Sequence, residues 1–411
     1  MDCNINHSVF LRSNGTLACW CDAGSLKTIQ EFDPLIDYAH DVYLGKVYTY
    51  LRENLAAGVM PFPSYCSKCM VLQPSAPFIS THAQDLHMDT LQVEPSMACQ
   101  LDCPGCIPMK DRKTRVARTS SGHLMLASKI LEKILKDFQR AGIGIDTIDF
   151  QGHGEPLLNR DVWNMFRLSK SLFPKSKITT CTNANFDFRE DMVEAGLDQI
   201  LFAIDGMDQD SYAPYRIYGE FDQSYRFMSA FSTAARARGD KIHTVWKYVL
   251  FNHNDSHEQL LEAQKMALEA QVSELRFIIT QLGPTSSTIV DENDIPRANN
   301  GVNVQVQNYK VDIKQLNDGM VAARENLEAN HLQQASHNAL FVAAMMKRLF
   351  SGPQIVPPKF QGFLNELTEI AEKLPTSSRT TINRDIEHLV NPRIATRQLP
   401  VIQNVEFVAN A

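Results

Sequence analysis

Between residues 88 and 280, strand-like runs alternate with amphipathic helical runs, and this alternation constrains the fold more than any other feature of the chain. The segments "MDTLQVEP", "IDTIDFQG", "SKITTCTN", "DQILFAIDG", "HTVWKYVLF" and "SELRFIIT" are rich in the β-branched and aromatic residues that suit a pleated sheet. Between them lie "LMLASKILEKILKDFQRAG", with apolar residues at helical spacing and a terminal Gly142, then "DVWNMFRLSKSLF", "FREDMVEAG" and helical runs near 222–238 and 256–270. Six consecutive βα units imply parallel strands joined by crossover helices. Six units, rather than the closed eight, predict an α/β fold: a partial, TIM-like (β/α)6 barrel over residues 86–283. Its site is then expected on loops at the carboxyl ends of the strands. Trp246 and Tyr248, on one of these strands, read as core residues.

The flanks have a different rhythm. Residues 1–85 read as a small, cysteine-rich, loop-rich module. Strand-like stretches on either side of Asn14-Gly15 signal a hairpin. A helix through "YLGKVYTYLRENLAAG" ends at Gly58, and "PSAPFISTHAQD" reads as a linker. Residues 284–411 begin as a polar, irregular stretch. They continue into amphipathic helices at "NALFVAAMMKRLF" and "FQGFLNELTEIAEKL", which predicts a mainly helical extension.

The chain has 411 residues, 44% of them hydrophobic and 21% charged, a globular composition with room for two or three domains. A formal net charge of −7 argues against a general nucleic-acid binder. The local exception is "KDRKTRVAR", residues 110–118, which reads either as a solvated loop or as an anion-contacting one. No apolar run reaches the ~18 residues of a membrane span. The start "MDCNINHSVFLRS" lacks the basic and apolar regions of a signal peptide, so a cytoplasmic location is expected.

Eight of the nine cysteines fall within the first 106 residues. In a reducing compartment, such clustering points to metal or cluster binding rather than to disulfides. Cys99, Cys103 and Cys106, in "MACQLDCPGCIPMK", directly follow the first strand of the βα series. Three thiolates fall one short of a structural zinc site. They suit a 4Fe–4S cube with one iron left open to a non-protein ligand.

This CxxxCxxC loop resembles the signature of the radical S-adenosylmethionine (radical SAM) superfamily, and the resemblance extends over roughly residues 88–280. It implies that SAM caps the open iron and is cleaved by the reduced cluster, and that the product radical takes a hydrogen from substrate. Four further stretches match the family in order. "GHGEP" resembles its GGEP motif, which implies contact between Gly152, Gly154, Glu155 and the SAM amino group. "TCTNAN" resembles the TNG strand end, which implies a SAM or substrate contact for Asn183. "AIDG" resembles the S-x-D-G motif at Asp205, with Ala203 in place of the polar residue. "YAPYR" ends in Arg216, which matches an arginine that pairs with the SAM carboxylate. Many members carry an aromatic residue before the third cysteine. Gly105 stands there in this chain, so no adenine contact is assigned. Cys181 reads as a buried apolar thiol or, if it faces the cavity, as a hydrogen donor to a substrate radical.

Cys19, Cys21, Cys66 and Cys69 offer four thiolates on a hairpin and a CxxC turn, with Cys3 as a spare. Such a set suits a structural zinc. The stretch also resembles the SPASM/twitch module of radical SAM enzymes, which implies a second, auxiliary 4Fe–4S cluster, here placed ahead of the barrel. The resulting expectation is an oxidoreductase acting on a carbohydrate or other small metabolite, supplied with electrons by a reductant such as flavodoxin or ferredoxin. A ribosomal-peptide maturase, performing epimerisation or cross-linking, is the alternative. A non-catalytic iron–sulfur or zinc scaffold or electron carrier is the rival from another class.

Overall fold

A computed structural model describes residues 3–19, 27–66, 72, 86–106, 124–239, 241–280, 285–289, 291–308, 313–349 and 361–390. Cys21, Cys69, the basic loop 110–118 and the linker read at 74–85 lie outside these residues. The described strands join one ten-stranded sheet in the order β10-β9-β8-β7-β6-β5-β4-β1-β2-β3. Its centre is the expected series: β4 (His87–Val93), β5 (Gly144–Phe150), β6 (Lys177–Thr182), β7 (Gln199–Ala203), β8 (His243–Val249) and β9 (Glu274–Ile279), each parallel to the next.

Helices return the chain between these strands. In α3 (Ser128–Arg140), Leu131, Ile134, Leu135 and Phe138 recur at helical spacing and are buried. The helices α4 (Val162–Leu172), α6 (Phe221–Ala237) and α7 (His257–Glu269) likewise bury one face each, and the single turn α5 (Gln209–Tyr212) lies between α4 and α6. Trp246 and Tyr248 are fully buried, as expected; the Trp246 indole donates to the Ile204 carbonyl at 2.8 Å and the Tyr248 hydroxyl to the Asn254 carbonyl at 2.9 Å.

Three elements differ from the sequence expectation. "FREDMVEAG" forms only a 3-10 stretch, Glu190–Glu194, because Gly196, at φ +84°, stops the chain before an α-helix can propagate. The stretch read as irregular contains β10 (Val304–Asn308), whose Val/Gln alternation pairs in parallel with β9. The stretch 1–85 contributes to the same sheet: β1 (Ser8–Leu11) lies parallel to β4, β2 (Leu17–Ala18) returns antiparallel to β1, and β3 (Thr28–Gln30) extends the edge. The turn between β1 and β2 passes through Gly15 at φ +87°, a conformation open to glycine. Two further helices precede β4: α1 (Lys46–Ala56) and the short α2 (Pro63–Cys66).

The C-terminal region is helical: α8 (Ile313–Glu328), α9 (Leu332–Leu349), α10 (Gln361–Glu372) and α11 (Thr376–Val390). It docks on the segment after α1. The Met60 amide donates to His337 Nδ1 at 3.1 Å, and the Gln334 side chain to the Ala57 carbonyl at 3.0 Å. Among the described residues no helix is long and apolar enough to cross a membrane.

Candidate functional site

Loops at the carboxyl ends of β4 to β8 meet around the three-cysteine loop, which follows β4. Glu94, at the end of that strand, is fully buried; one carboxylate oxygen accepts from the His153 amide at 3.0 Å and the other from the Ser13 amide at 3.2 Å. The loop after β5 is thereby fastened to the base of the cysteine loop. Glycine is required at two positions there. A Cβ on Gly154 would lie 2.2 Å from the Ser96 carbonyl oxygen, and one on Gly152 would lie 2.4 Å from the Glu94 side chain. The Glu155 amide then donates to the Ala98 carbonyl at 2.7 Å, one residue before Cys99.

Both oxygens of the buried Glu155 carboxylate are engaged within the fold. They accept from the Leu157 amide at 3.0 Å, the Thr182 hydroxyl at 2.8 Å and the Asn183 amide at 2.7 Å. Burial pushes this carboxyl up to about 7, against the pull of those donors. Glu155 thus ties the loop after β5 to the end of β6. Asn183 in turn donates from Nδ2 to Cys99 Sγ at 3.6 Å and exchanges amide hydrogen bonds with Gln100 at 3.2 Å. The next residue, Ala184, sits at φ +61° where the family pattern has glycine, a mildly strained position.

Asp205, fully buried after β7, accepts from Arg216 Nε and Nη2 at 2.6 Å and from the Val249 amide at 2.7 Å. With that edge of the fork held, Arg216 Nη1 points to Cys103 Sγ at 3.7 Å. Burial works against the guanidinium's charge, and the Asp205 carboxylate outweighs it, so Arg216 stays fully cationic. Burial pushes the Cys103 thiol up while Arg216 acts in the opposite direction. The Cys106 thiol approaches the His153 carbonyl at 3.8 Å. Tyr215 covers Gly105, its hydroxyl 2.7 Å from where a Cβ would stand, and lies against Phe251 at a centroid distance of 4.2 Å.

The expected residues Cys99, Cys103, Cys106, Gly152, Gly154, Glu155, Asn183, Asp205 and Arg216 therefore meet in one place. The spacing of the thiols bears on what they can hold. A tetrahedral zinc with Zn–S bonds of ~2.3 Å sets its sulfurs ~3.8 Å apart. Among the described residues, the only set of three such donors within 4.8 Å of one another is His87, Asp89 and Asp146, at the opposite end of β4 and β5. The three cysteines stand wider than a single zinc needs, and a larger cluster suits them.

Cys181 points to the sheet face away from the helices, where Thr90, Thr147, Asp149, Gln151, Lys177, Thr179, Gln199 and Leu201 line a cavity of about 260 Å³. In the N-terminal stretch, Lys27 brings the two cysteine segments side by side. Its amide donates to Cys19 Sγ at 3.4 Å, and its ammonium lies over the rings of Phe62 and Tyr65, at 5.6 and 5.8 Å, beside Cys66. Cys3, Cys19 and Cys66 are half-buried against the core.

Sequence reading missed Glu94, Tyr215 and Gln100. Glu94 stands in "QVEPS" directly ahead of the cysteine loop, and Tyr215 directly ahead of Arg216, so position was the available signal; their contacts are made across the fold.

Residues 96–226 match the family described as a 4Fe-4S single cluster domain. Over 138 residues, 33% of this chain, the sequence is 25% identical to the GTP 3′,8-cyclase of Chlorobaculum tepidum. The match spans 38% of that protein, well under half its length. Among solved structures, Streptococcus suis SuiB bound to precursor peptide SuiA is similar at a TM-score of 0.40 and 14% identity, over 73% of this chain and 71% of that one. The anSMEcpe enzyme with bound AdoMet and Cp18Cys peptide is similar at a TM-score of 0.36 and 17% identity, over 59% and 61%. The region around the three cysteines is thus similar to a 4Fe-4S single cluster domain.

Proposed function

We propose that this chain is a radical SAM enzyme in which Cys99, Cys103 and Cys106 hold a 4Fe–4S cluster, with SAM as the fourth-position ligand. The observation that carries the reading is the convergence of donors on the thiols: Asn183 on Cys99 and Arg216 on Cys103, each held from behind by a buried carboxylate. A 4Fe–4S cluster held by Cys99, Cys103 and Cys106 would supply the one-electron reduction that splits bound SAM into methionine and a 5′-deoxyadenosyl group able to take a hydrogen atom from substrate.

The chain's own residues prepare that site. Arg216 favours the thiolate form of Cys103, since a ligand must lose its proton to bind iron. Asp205 orients Arg216, and Gly152 and Gly154 let backbone approach the amino group of SAM. Glu155 positions Asn183 and places its buried carboxyl near that group. Cys181, on the cavity face, would give a hydrogen atom to a substrate radical only in a non-oxidative modification such as epimerisation, its thiyl radical then taking one electron from the reductant and a proton from water. Cys19, Cys21, Cys66 and Cys69 hold an auxiliary 4Fe–4S cluster, or zinc, and Lys27 supports this by joining the two segments. The net reaction is an oxidation or other modification of a carbohydrate or small metabolite inside a partial barrel, with flavodoxin or ferredoxin as reductant.

The test is anaerobic reconstitution, iron and sulfide counting, and a 5′-deoxyadenosine assay with SAM and dithionite. About eight irons per chain and deoxyadenosine are expected, and Cys103→Ala should lose about four irons and all deoxyadenosine. About four irons with zinc would replace the auxiliary cluster by a structural metal. An intact cluster without deoxyadenosine would sink the enzyme and leave the scaffold.

A further inference from the structure

The cavity face carries a charge pattern that the proposed cluster chemistry does not use. On β8, Trp246 and Tyr248 turn towards the helices, so Lys247 projects from the opposite face, the one that Gln199 and Leu201 on β7 present to the cavity. The register places Lys247 beside Ala203 on β7 and Arg276 on β9, while Cys181 on β6 pairs with Leu201, one side-chain row further from the cysteine loop. Ala203 offers only a methyl between Lys247 and β6. Burial raises the Cys181 thiol and the Lys247 charge acts in the other direction; the two side chains share this face, two strands and one side-chain row apart.

The other cations facing this hollow are already matched. Arg276 pairs with Glu274 through Nε at 2.5 Å, and Glu274 also takes His243 at 2.9 Å. Lys177 donates to Gln199 at 2.6 Å, and Arg216 holds Asp205. Asp149 accepts from Thr179. Among the described residues, the half-buried Lys247 side chain makes neither an ion pair nor a hydrogen bond. A cation withdrawn from water without an anion is costly, so a ligand that brings the anion is favoured there. Lys247 stands one side-chain row nearer the cysteine loop than the cavity, whose lining is threonine and glutamine around Asp149 and Lys177 with Leu201 as the one apolar member, which suits a polar, hydrogen-bonding molecule rather than an apolar one.

We infer that Lys247 anchors the anionic group of the substrate, a compact polar molecule bearing a carboxylate or a phosphate, and holds it over Cys181. This rests on the reading of the chain as a radical SAM enzyme and narrows its substrate class. Lys247 is a binding residue here: it fixes one end of the substrate, and the remainder lies along Thr179, Gln151 and Asp149.

The reconstituted protein, with SAM present to occupy its own site, is titrated calorimetrically with inorganic phosphate and, separately, with acetate. Saturable binding of one anion is expected, phosphate alone indicating a phosphorylated substrate and acetate alone a carboxylated one. Lys247→Met should weaken that binding roughly tenfold or more, and Lys247→Arg should restore most of it, because the charge rather than the exact shape is needed. Lys247→Gln serves the same purpose if Lys247→Met loads less iron than the wild type. Anion binding unchanged in the neutral variants, or no saturable binding by the wild type, overturns the assignment. The deoxyadenosine assay reads the parent reading separately. Deoxyadenosine formation with Lys247-independent anion binding removes this inference alone, whereas Lys247-dependent binding without deoxyadenosine removes only the radical chemistry.

Discussion

Asp149 shows how much one side chain's surroundings can add to its identity. As a letter in "IDTIDFQG" it is a polar residue in an alternating strand; in the fold, burial pushes its carboxyl up to about 6, against the hydrogen bonds of Thr179 and Gln151. A carboxyl raised in the folded state binds its proton more tightly there than in the unfolded chain. Its contribution is complete below pH ~4 and is lost as pH rises through about 6. Asp149→Asn, a neutral mimic of the protonated form, should therefore gain about 3 kcal/mol over the wild type at pH 7.5 and about 1 kcal/mol at pH 4.5, read from urea midpoints at the two pH values. Arg216 and Asp205 were legible as motif letters, but their mutual salt bridge was not, because it joins two loops that only the sheet brings together.

At the scale of elements, the strands and helices of the βα series were legible because each satisfies its own periodicity. The helix α8 was not, since "IKQLNDGMVAARENLE" carries Gly319 at its centre. That glycine is explained by α9: a Cβ there would stand 2.9 Å from Val342 Cγ2, a β-branched side chain with little freedom to move. Gly319→Ala should cost net stability of about 1 kcal/mol, overpacking outweighing the gain in helix propensity. Gly362→Ala, on α10 where a Cβ meets nothing within 4 Å, should instead stabilise by about 0.5 kcal/mol. Opposite shifts of the two denaturation midpoints would verify the packing, and a stabilising Gly319→Ala would refute it. The strand β10 was missed for a related reason: five residues of Val/Gln alternation become a strand only beside the edge of β9.

For the molecule as a whole, the contact between the helical extension and the segment after α1 is the long-range feature with the clearest consequence. His337 Nδ1 accepts the Met60 amide, and burial lowers the pKa of the ring. A histidine depressed in the fold binds a proton more readily when unfolded, so its stabilising effect is present above about pH 6.5 and is lost as pH falls below it. His337→Asn keeps an acceptor and removes the titration. The wild-type Tm should fall further between pH 7.5 and 5.5 than that of the variant, whereas equal falls would show that the docking does not sense protonation. His337→Leu, which strands a buried amide, should cost about 1–3 kcal/mol at either pH.

Residues close in the chain determined the series of βα units, the triad of thiols and the motif order, because periodicity and short spacing are local properties that a linear reading preserves. Tertiary structure alone decided that β1 to β3 extend the same sheet, that Glu94 and Glu155 fasten loops rather than stand exposed, and that Lys247 and Cys181 share one face of the sheet. Each of those depends on strand register and on burial, which arise only when segments many residues apart share a face and exclude water.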